Sequence, residues 1–227
     1  MDPADYQAYL QDEWDLFVGD ADRQLESVRA AAARGGKVLD VGCGGGQEMI
    51  PFVRAGATCV GIDISRASGS FGRRMFTTYY PNARVHFATS GAERLPFASG
   101  AFDIVLCRVA IPYTDNRAAL AEISRVLRPG GVLLLKVHHL RYYTGKFAEG
   151  VRRKSPLFSI HALRVLLSGA VFHLTGRQPS GRILLRESFL TEWLLKRQLA
   201  QVRLSIAGEL SDSNPLTPSY RIVKQSA

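Results

Sequence analysis

The 227-residue sequence is short of three things, and each shortage narrows the reading. Cysteine occurs three times, at Cys43, Cys59 and Cys107, always inside an apolar run. With no C-x-x-C pair and no Cys/His cluster there is no zinc signature, and the odd count builds no disulfide framework. No metal site is expected. With cysteine so used, a reducing cytoplasm is expected. Apolar residues are sparse at the start, "MDPADYQAYLQDEWDLF", which is acidic and is not expected to be a signal peptide. Acid, finally, is scarce in one segment. Residues 1–140 carry 15 Lys+Arg and 15 Asp+Glu, whereas residues 141–203 carry 12 basic and 3 acidic side chains and hold the whole net charge of +9. Such a segment suits an anionic partner or is a solvated basic face.

What is present is a strict rhythm. At 46% hydrophobic the chain can bury one substantial core with an added lid. Residues 5–33 read as helix, with Tyr6, Tyr9, Leu10, Trp14, Phe17, Leu25 and Val28 at roughly helical spacing and a break at Gly19-Asp20. Then "KVLDVG" reads as a buried strand, "GQEMIPFVRAG" as a helix closed by Gly56, "ATCVGIDIS" as strand and "SFGRRMFTTYY" as helix. "ARVHFATS" and "AFDIVLCRVA" are strands, "NRAALAEISRVLRPGG" is a helix with a glycine stop, and "VLLLKVHH" is a strand. Apolar strands alternating with amphipathic helices predict an α/β fold: a doubly wound, mostly parallel sheet covered on both faces. The rhythm breaks after His139. Residues 141–186 read as a basic and apolar helical insertion, after which a helix and two strands close the sheet, the last strand antiparallel. The expected layout is one domain over 1–227: a helical cap (1–34), a core (36–140), the insertion (141–186) and the end of the sheet (187–227).

The densest signal is "VLDVGCGGGQ". A strand-to-helix turn at the carboxyl edge of a parallel sheet is where this architecture binds ligands, and glycines let the backbone approach them. Gly42-Cys43-Gly44-Gly45-Gly46-Gln47 reads G-x-G-x-G, with Gln47 where a dinucleotide enzyme has its third glycine. Asp63, closing the second strand in "GIDIS", stands where a carboxylate can accept two hydrogen bonds from a ribose diol.

The order of "VLDVGCGGG", "GIDIS", "AERLPF", "FDIVLCRVA" and "RVLRPGGVLLL" resembles the class I S-adenosylmethionine-dependent methyltransferases. Within them it is closest to the small-molecule branch (methyltransferase type 11) that includes ubiquinone/menaquinone-type enzymes. The likeness covers about residues 36–140 and implies a seven-stranded sheet and S-adenosylmethionine as cofactor, with S-adenosylhomocysteine as product. It also implies that Asp40, Val41 and the loop Gly42, Cys43, Gly44, Gly46 and Gln47 hold the methionine part. Asp63 would then take the ribose hydroxyls and Ile64 the adenine, with Gly91, Ala92 and Glu93 bounding its far edge and Arg108 and Val109 beneath the sulfonium. Gly91 departs from the pattern, since the family often has an acid there to meet the adenine amino group; main-chain groups, Ser90 or Glu93 would have to replace it.

In methyl transfer the cofactor carries the reactivity, and the protein supplies alignment and, for a hydroxyl acceptor, a base. His138 and His139 end the fifth strand at the edge where the methyl group belongs. One of the two is expected to face the site as base or orienting group, because neighbours on a strand point oppositely. His161 and His173 are expected to be interior or lid residues. Tyr113, in "AIPYTD", is expected to line the acceptor pocket; that stretch lacks the amide or carboxylate of amide N-methyltransferases. The loop "SNPLTPSY" either reaches the same edge or is a plain connection.

The stretch Ser159–Gly176 is nearly long enough to span a bilayer, but Arg164, His161 and His173 argue against it. A lid helix or dimer interface, a membrane-surface contact and a basic site for an anionic acceptor all stay open. The reading is a methyltransferase of a small-molecule acceptor, lipophilic or anionic, O-methylation preferred, working as monomer or homodimer. Two alternatives stand beside it: an RNA-modifying methyltransferase using the basic 141–203 segment, disfavoured because no RNA-binding module is recognisable, and a non-catalytic cofactor-binding scaffold.

Overall fold

In the computed structural model, which describes residues 3–19 and 36–225, the apolar runs become seven strands. They are β1 (Lys37–Val41), β2 (Thr58–Asp63), β3 (Val85–Thr89), β4 (Phe102–Arg108), β5 (Leu127–Lys136), β6 (Leu204–Glu209) and β7 (Ser219–Lys224). One sheet holds them in the order β3-β2-β1-β4-β5-β7-β6. β1 to β5 pair in parallel, and β7 runs antiparallel to both of its neighbours. The order reverses between β1 and β4, and the carboxyl ends of strands at such a reversal open a crevice.

Among the described residues, seven α-helices accompany the sheet: α1 (Pro3–Gly19), α2 (Ile50–Arg54), α3 (Arg66–Tyr79), α4 (Asn116–Val126), α5 (Leu140–Arg152), α6 (Pro156–Thr175) and α7 (Glu192–Gln201). Successive strand residues point to opposite faces, so each strand feeds two cores. Val38, Ile104, Leu106 and Leu134 pack with Trp14 of α1, Phe52 of α2 and Phe71 and Met75 of α3. Leu39, Val105, Leu133 and Leu135 pack on the other side with Leu120 and Ile123 of α4, Phe172 of α6 and Leu195 of α7. With both faces covered, the middles of the central strands β1, β4 and β5 are mostly apolar, and the charged residues Asp40, Arg108 and Lys136 gather at their carboxyl ends.

Several boundaries differ from the sequence expectation. The first half of the expected 5–33 helix is α1; residues 20–33, with Leu25 and Val28, lie outside the described residues. The helix expected after the glycine loop is a 3-10 turn at Gln47–Met49 followed by the five residues of α2. α4 stops at Val126 rather than at the glycines, because the chain must be extended ahead of Pro129, and Leu127 to Gly131 already belong to β5. β5 in turn ends at Lys136, so His138 and His139 lie beyond it and do not end the strand as expected. The insertion is a helical hairpin, α5 and α6, joined through residues 153–155.

Candidate functional site

β1 turns at once into the glycine loop. Gly42 has φ +73, and a Cβ there would lie 2.4 Å from the Ala110 Cβ, so conformation and space both demand glycine. Its N–H and that of Cys43 donate to the Ile62 carbonyl at 2.8 and 3.0 Å, tying the loop to β2. Gly44, at φ +53, donates its N–H to Asp63 Oδ2 at 3.1 Å, and Ser65 N–H donates to Asp63 Oδ1 at 2.8 Å. Each Asp63 oxygen keeps a further acceptor position for a ligand. The next side chain, Ile64, is 81% exposed. Ser90 N–H donates to the Asp63 carbonyl at 3.0 Å, which brings Gly91 and Ala92 beside the end of β2. Glu93 is engaged elsewhere: its Oε1 accepts from Asp115 N–H at 3.0 Å and lies 3.6 Å from Arg186 Nη1.

Beneath the loop is a buried charge cluster. Asp40 Oδ2 is buried without a hydrogen-bond partner among the described residues, as is Gln47 Oε1. Burial, then the Glu48 carboxylate, hold the Asp40 carboxyl well above its ordinary range, with Arg108 working the other way. Unmet buried acceptors on both flanks of the loop fit a ligand bearing N–H donors and positive charge. Arg108 donates to Ser219 Oγ at 3.0 Å, to Glu48 at 3.4 Å and to Asp212. Lys136 Nζ also reaches Asp212, at 2.7 Å. Burial alone would raise the Asp212 carboxyl, but Arg108 and Lys136 reverse this and leave it below its usual value. The loop between β6 and β7, which supplies Asp212, therefore reaches this edge. Val109 follows at φ +66, a strained conformation for a β-branched residue. Its N–H donates to the Lys136 carbonyl at 2.9 Å, pinning the bend that places Ala110 against Gly42. Burial pushes the thiols of Cys59 and Cys107 up to about 12 and that of Cys43 well above its ordinary value, so none is a thiolate nucleophile.

Beyond β5 a histidine is set among tyrosines. His138 is 5% exposed, with Tyr142 stacked on it at 3.9 Å and 6° and Tyr113 edge-on at 6.3 Å. Its Nδ1 lies 3.0 Å from the Tyr143 hydroxyl, which donates to Glu187 Oε1 at 2.9 Å. A carboxylate only accepts, so the single Tyr143 proton goes to Glu187, and the Tyr143 oxygen accepts from His138 Nδ1–H. This hydrogen-bond logic assigns the tautomer and leaves Nε2 unprotonated. His161 Nε2 of α6 lies 3.1 Å from Glu187 Oε2. Burial foremost, then Lys146 and Lys136, lower the His138 pKa to about 4. The segment carrying Glu187 is clamped: Ser188 N–H donates to the Pro112 carbonyl at 3.2 Å and Leu190 N–H to the His138 carbonyl at 3.0 Å.

His139 takes a different place. It caps α5, its Nδ1 accepting from Arg141 N–H at 3.4 Å, and opens into a separate cleft of about 310 Å³ with Glu192, Glu209, Asn214 and Tyr220. His173 bonds to the Gly169 carbonyl at 2.7 Å and to Thr191 Oγ1 at 2.9 Å, a packing role. The sequence reading did not anticipate Glu48, Asp212, Tyr142, Tyr143 or Glu187. Glu187 had a signal, as one of three acids in a segment of twelve cations. Tyr142 had none, since His138 precedes the helix that carries it.

Residues 39–135 match the methyltransferase domain family. An O-methyltransferase (cnsE) of Penicillium expansum is 35% identical over 120 residues, which are 52% of this chain and 44% of that protein. An uncharacterised methyltransferase of Synechocystis is 37% identical over 125 residues, 53% of this chain and 56% of that protein. The chain thus spans about half the length of the curated relatives it matches. Among solved structures, the magnesium protoporphyrin IX methyltransferase of Synechocystis with bound S-adenosylhomocysteine superposes with a TM-score of 0.58 at 18% identity, over 97% of this chain and 83% of that one, a likeness of fold. The family match thus runs from β1 to the end of β5 and takes in the glycine loop and Asp63.

Proposed function

We propose that the chain transfers a methyl group to an acidic hydroxyl, phenolic or enolic, of a small molecule, with His138 as the base. The observation that supports this best is the pairing of two half-sites at one sheet edge. One is a glycine loop flanked by unmet acceptors; the other is a neutral, oriented imidazole among aromatic rings. Asp40, Gln47 and the backbone of Gly42 to Gly46 are the groups that would hold the methionine part of S-adenosylmethionine, and Asp63 and Ile64 those for its nucleoside. When bound, this cofactor supplies an electrophilic methyl group on a sulfonium.

The chain's own contribution is proton handling and alignment. His138 Nε2 takes the acceptor's hydroxyl proton, and Nδ1–H stays fixed on Tyr143. Glu187, at the far end of that relay, stabilises the imidazolium as it forms, as a carboxylate does behind other catalytic histidines. A base held near 4 removes protons poorly from ordinary alcohols and better from acidic hydroxyls. Tyr113, exposed beside His138, offers a face for a planar acceptor, whereas Tyr142 is taken up by its stack on His138 and holds that ring in place. The O-methyltransferase name of the Penicillium relative supports the same acceptor atom.

The test is incubation with a deuterated methyl donor and a panel of phenols, enols, amines and carboxylic acids, read by mass spectrometry. Label on a phenol or enol oxygen that disappears in His138→Ala is expected. Transfer only to amines or carboxylates, unaffected by that change, would contradict the reading.

A further inference from the structure

α6 is long and apolar enough to cross a bilayer by length and composition, yet one of its sides is committed to the fold. Ala162, Val165, Ser168 and Phe172 are buried there. The opposite side presents Ile160, Leu163, Leu167 and Leu174 to solvent, at steps of three, four and seven residues that form one stripe along the helix. Leu157 and Leu174, at the two ends, are 82% and 87% exposed. The helix's single Lys or Arg does not interrupt this stripe. Arg164 turns its guanidinium to the Arg182 carbonyl and, at 2.9 Å, to that of Ile183, and so holds the exposed Ile183 alongside.

Charge frames the apolar stripe. Exposed Arg152, Arg153 and Lys154 precede the helix, and exposed Arg177 and Arg182 follow it. We infer that this side of α6 docks on the surface of an anionic lipid bilayer, its leucines entering the boundary between headgroups and acyl chains and its flanking cations meeting lipid phosphates. A second copy of the chain fits less well, because pairing two α6 stripes would bring together two segments that each carry 12 cations against 3 acids. Spanning the bilayer would strip the buried side of α6 from the fold. The inference does not depend on methyl transfer. It does place the α5–α6 hairpin, which carries Tyr142, Tyr143 and His161, between lipid and His138.

The full chain, sedimented with vesicles of phosphatidylcholine alone or mixed with phosphatidylglycerol, tests this. Binding to the anionic vesicles at least about tenfold stronger, and weakening in molar salt, is expected. Removing the Arg152, Arg153 and Lys154 charges by Gln substitution should cost roughly fivefold per charge. The double change Leu163→Glu, Leu167→Glu should abolish binding with the S-adenosylmethionine affinity and the melting temperature kept; Leu174→Glu, at the exposed end, does the same if the double variant misfolds. Absence of wild-type binding to anionic vesicles, or undiminished binding by these variants, overturns the inference. So does a solution dimer that the leucine changes dissociate while vesicles leave it untouched, which would assign the stripe to a second copy.

Discussion

His138 Nδ1 and the Tyr143 hydroxyl lie 3.0 Å apart, and through that tyrosine the imidazole is linked to Glu187, 49 positions further along the chain. The relay sets both the tautomer and the tilt of the ring, so its members should fail in different ways. His138→Ala should lower kcat by about 10²–10⁴-fold. Tyr143→Phe and Glu187→Gln, acting only through His138, should cost roughly 10–100-fold, the scale for groups that orient another. All three should leave the affinity for S-adenosylmethionine unchanged in a direct titration. A fall in that affinity would show the relay to be structural support for the cofactor half.

The lowered His138 pKa has consequences for both activity and stability. As the proposed base, His138 acts in its neutral form, and with a folded value near 4 the rate should stay level from pH 8 to about 5 and fall only below. For stability the sign is that of a depressed histidine. Between its unfolded value near 6.5 and about 4, the unfolded chain binds a proton that the folded chain refuses, so this residue makes stability decline as pH falls through that window. His138→Gln should flatten this part of the stability profile, as measured by denaturant midpoints at closely spaced pH values.

Asp40 predicts a proton release. Its carboxyl is held well above the ordinary value in the free protein, and a cationic ligand beside it favours the ionised form. Binding of S-adenosylmethionine should therefore expel a proton, and the affinity should rise with pH. Calorimetry in buffers of different ionisation enthalpy checks this: the apparent binding enthalpy should track the buffer in the wild type and cease to do so in Asp40→Asn.

Gly42→Ala is the backbone test. The new methyl group would sit 2.4 Å from Ala110 Cβ in a left-handed conformation. A loss of about 1–3 kcal/mol in unfolding free energy is expected, the scale of overpacking a tight site.

What the sequence discloses about this site is the part made of neighbours in sequence. The strand–glycine–helix turn, Asp63 at the end of β2 and the parallel sheet are each written within a dozen residues, because local backbone geometry imposes them. The His138–Tyr143–Glu187 relay is of another kind. It exists because the α5–α6 hairpin folds back and because Ser188 and Leu190 bond to Pro112 and His138, contacts between distant segments that no periodicity encodes. Asp212 is similar: in sequence it is one acid in a polar loop, and only the antiparallel return of β7 beside β5 brings it to Arg108 and Lys136. The boundaries missed at Val126 and Lys136 have a simpler cause. An apolar run tells where a strand's core is, whereas its ends are decided by partner strands and by Pro129.

Calorimetric titration of the chain with S-adenosylmethionine and, separately, with NADH decides what the glycine loop holds. Micromolar binding of S-adenosylmethionine alone is expected. Asp63→Ala should weaken it by about 1–3 kcal/mol, the scale for leaving a ligand's polar groups unpaired. Folded protein that binds NADH instead, or binds S-adenosylmethionine equally well without the Asp63 carboxylate, would contradict the assignment of the glycine loop and with it the proposed activity.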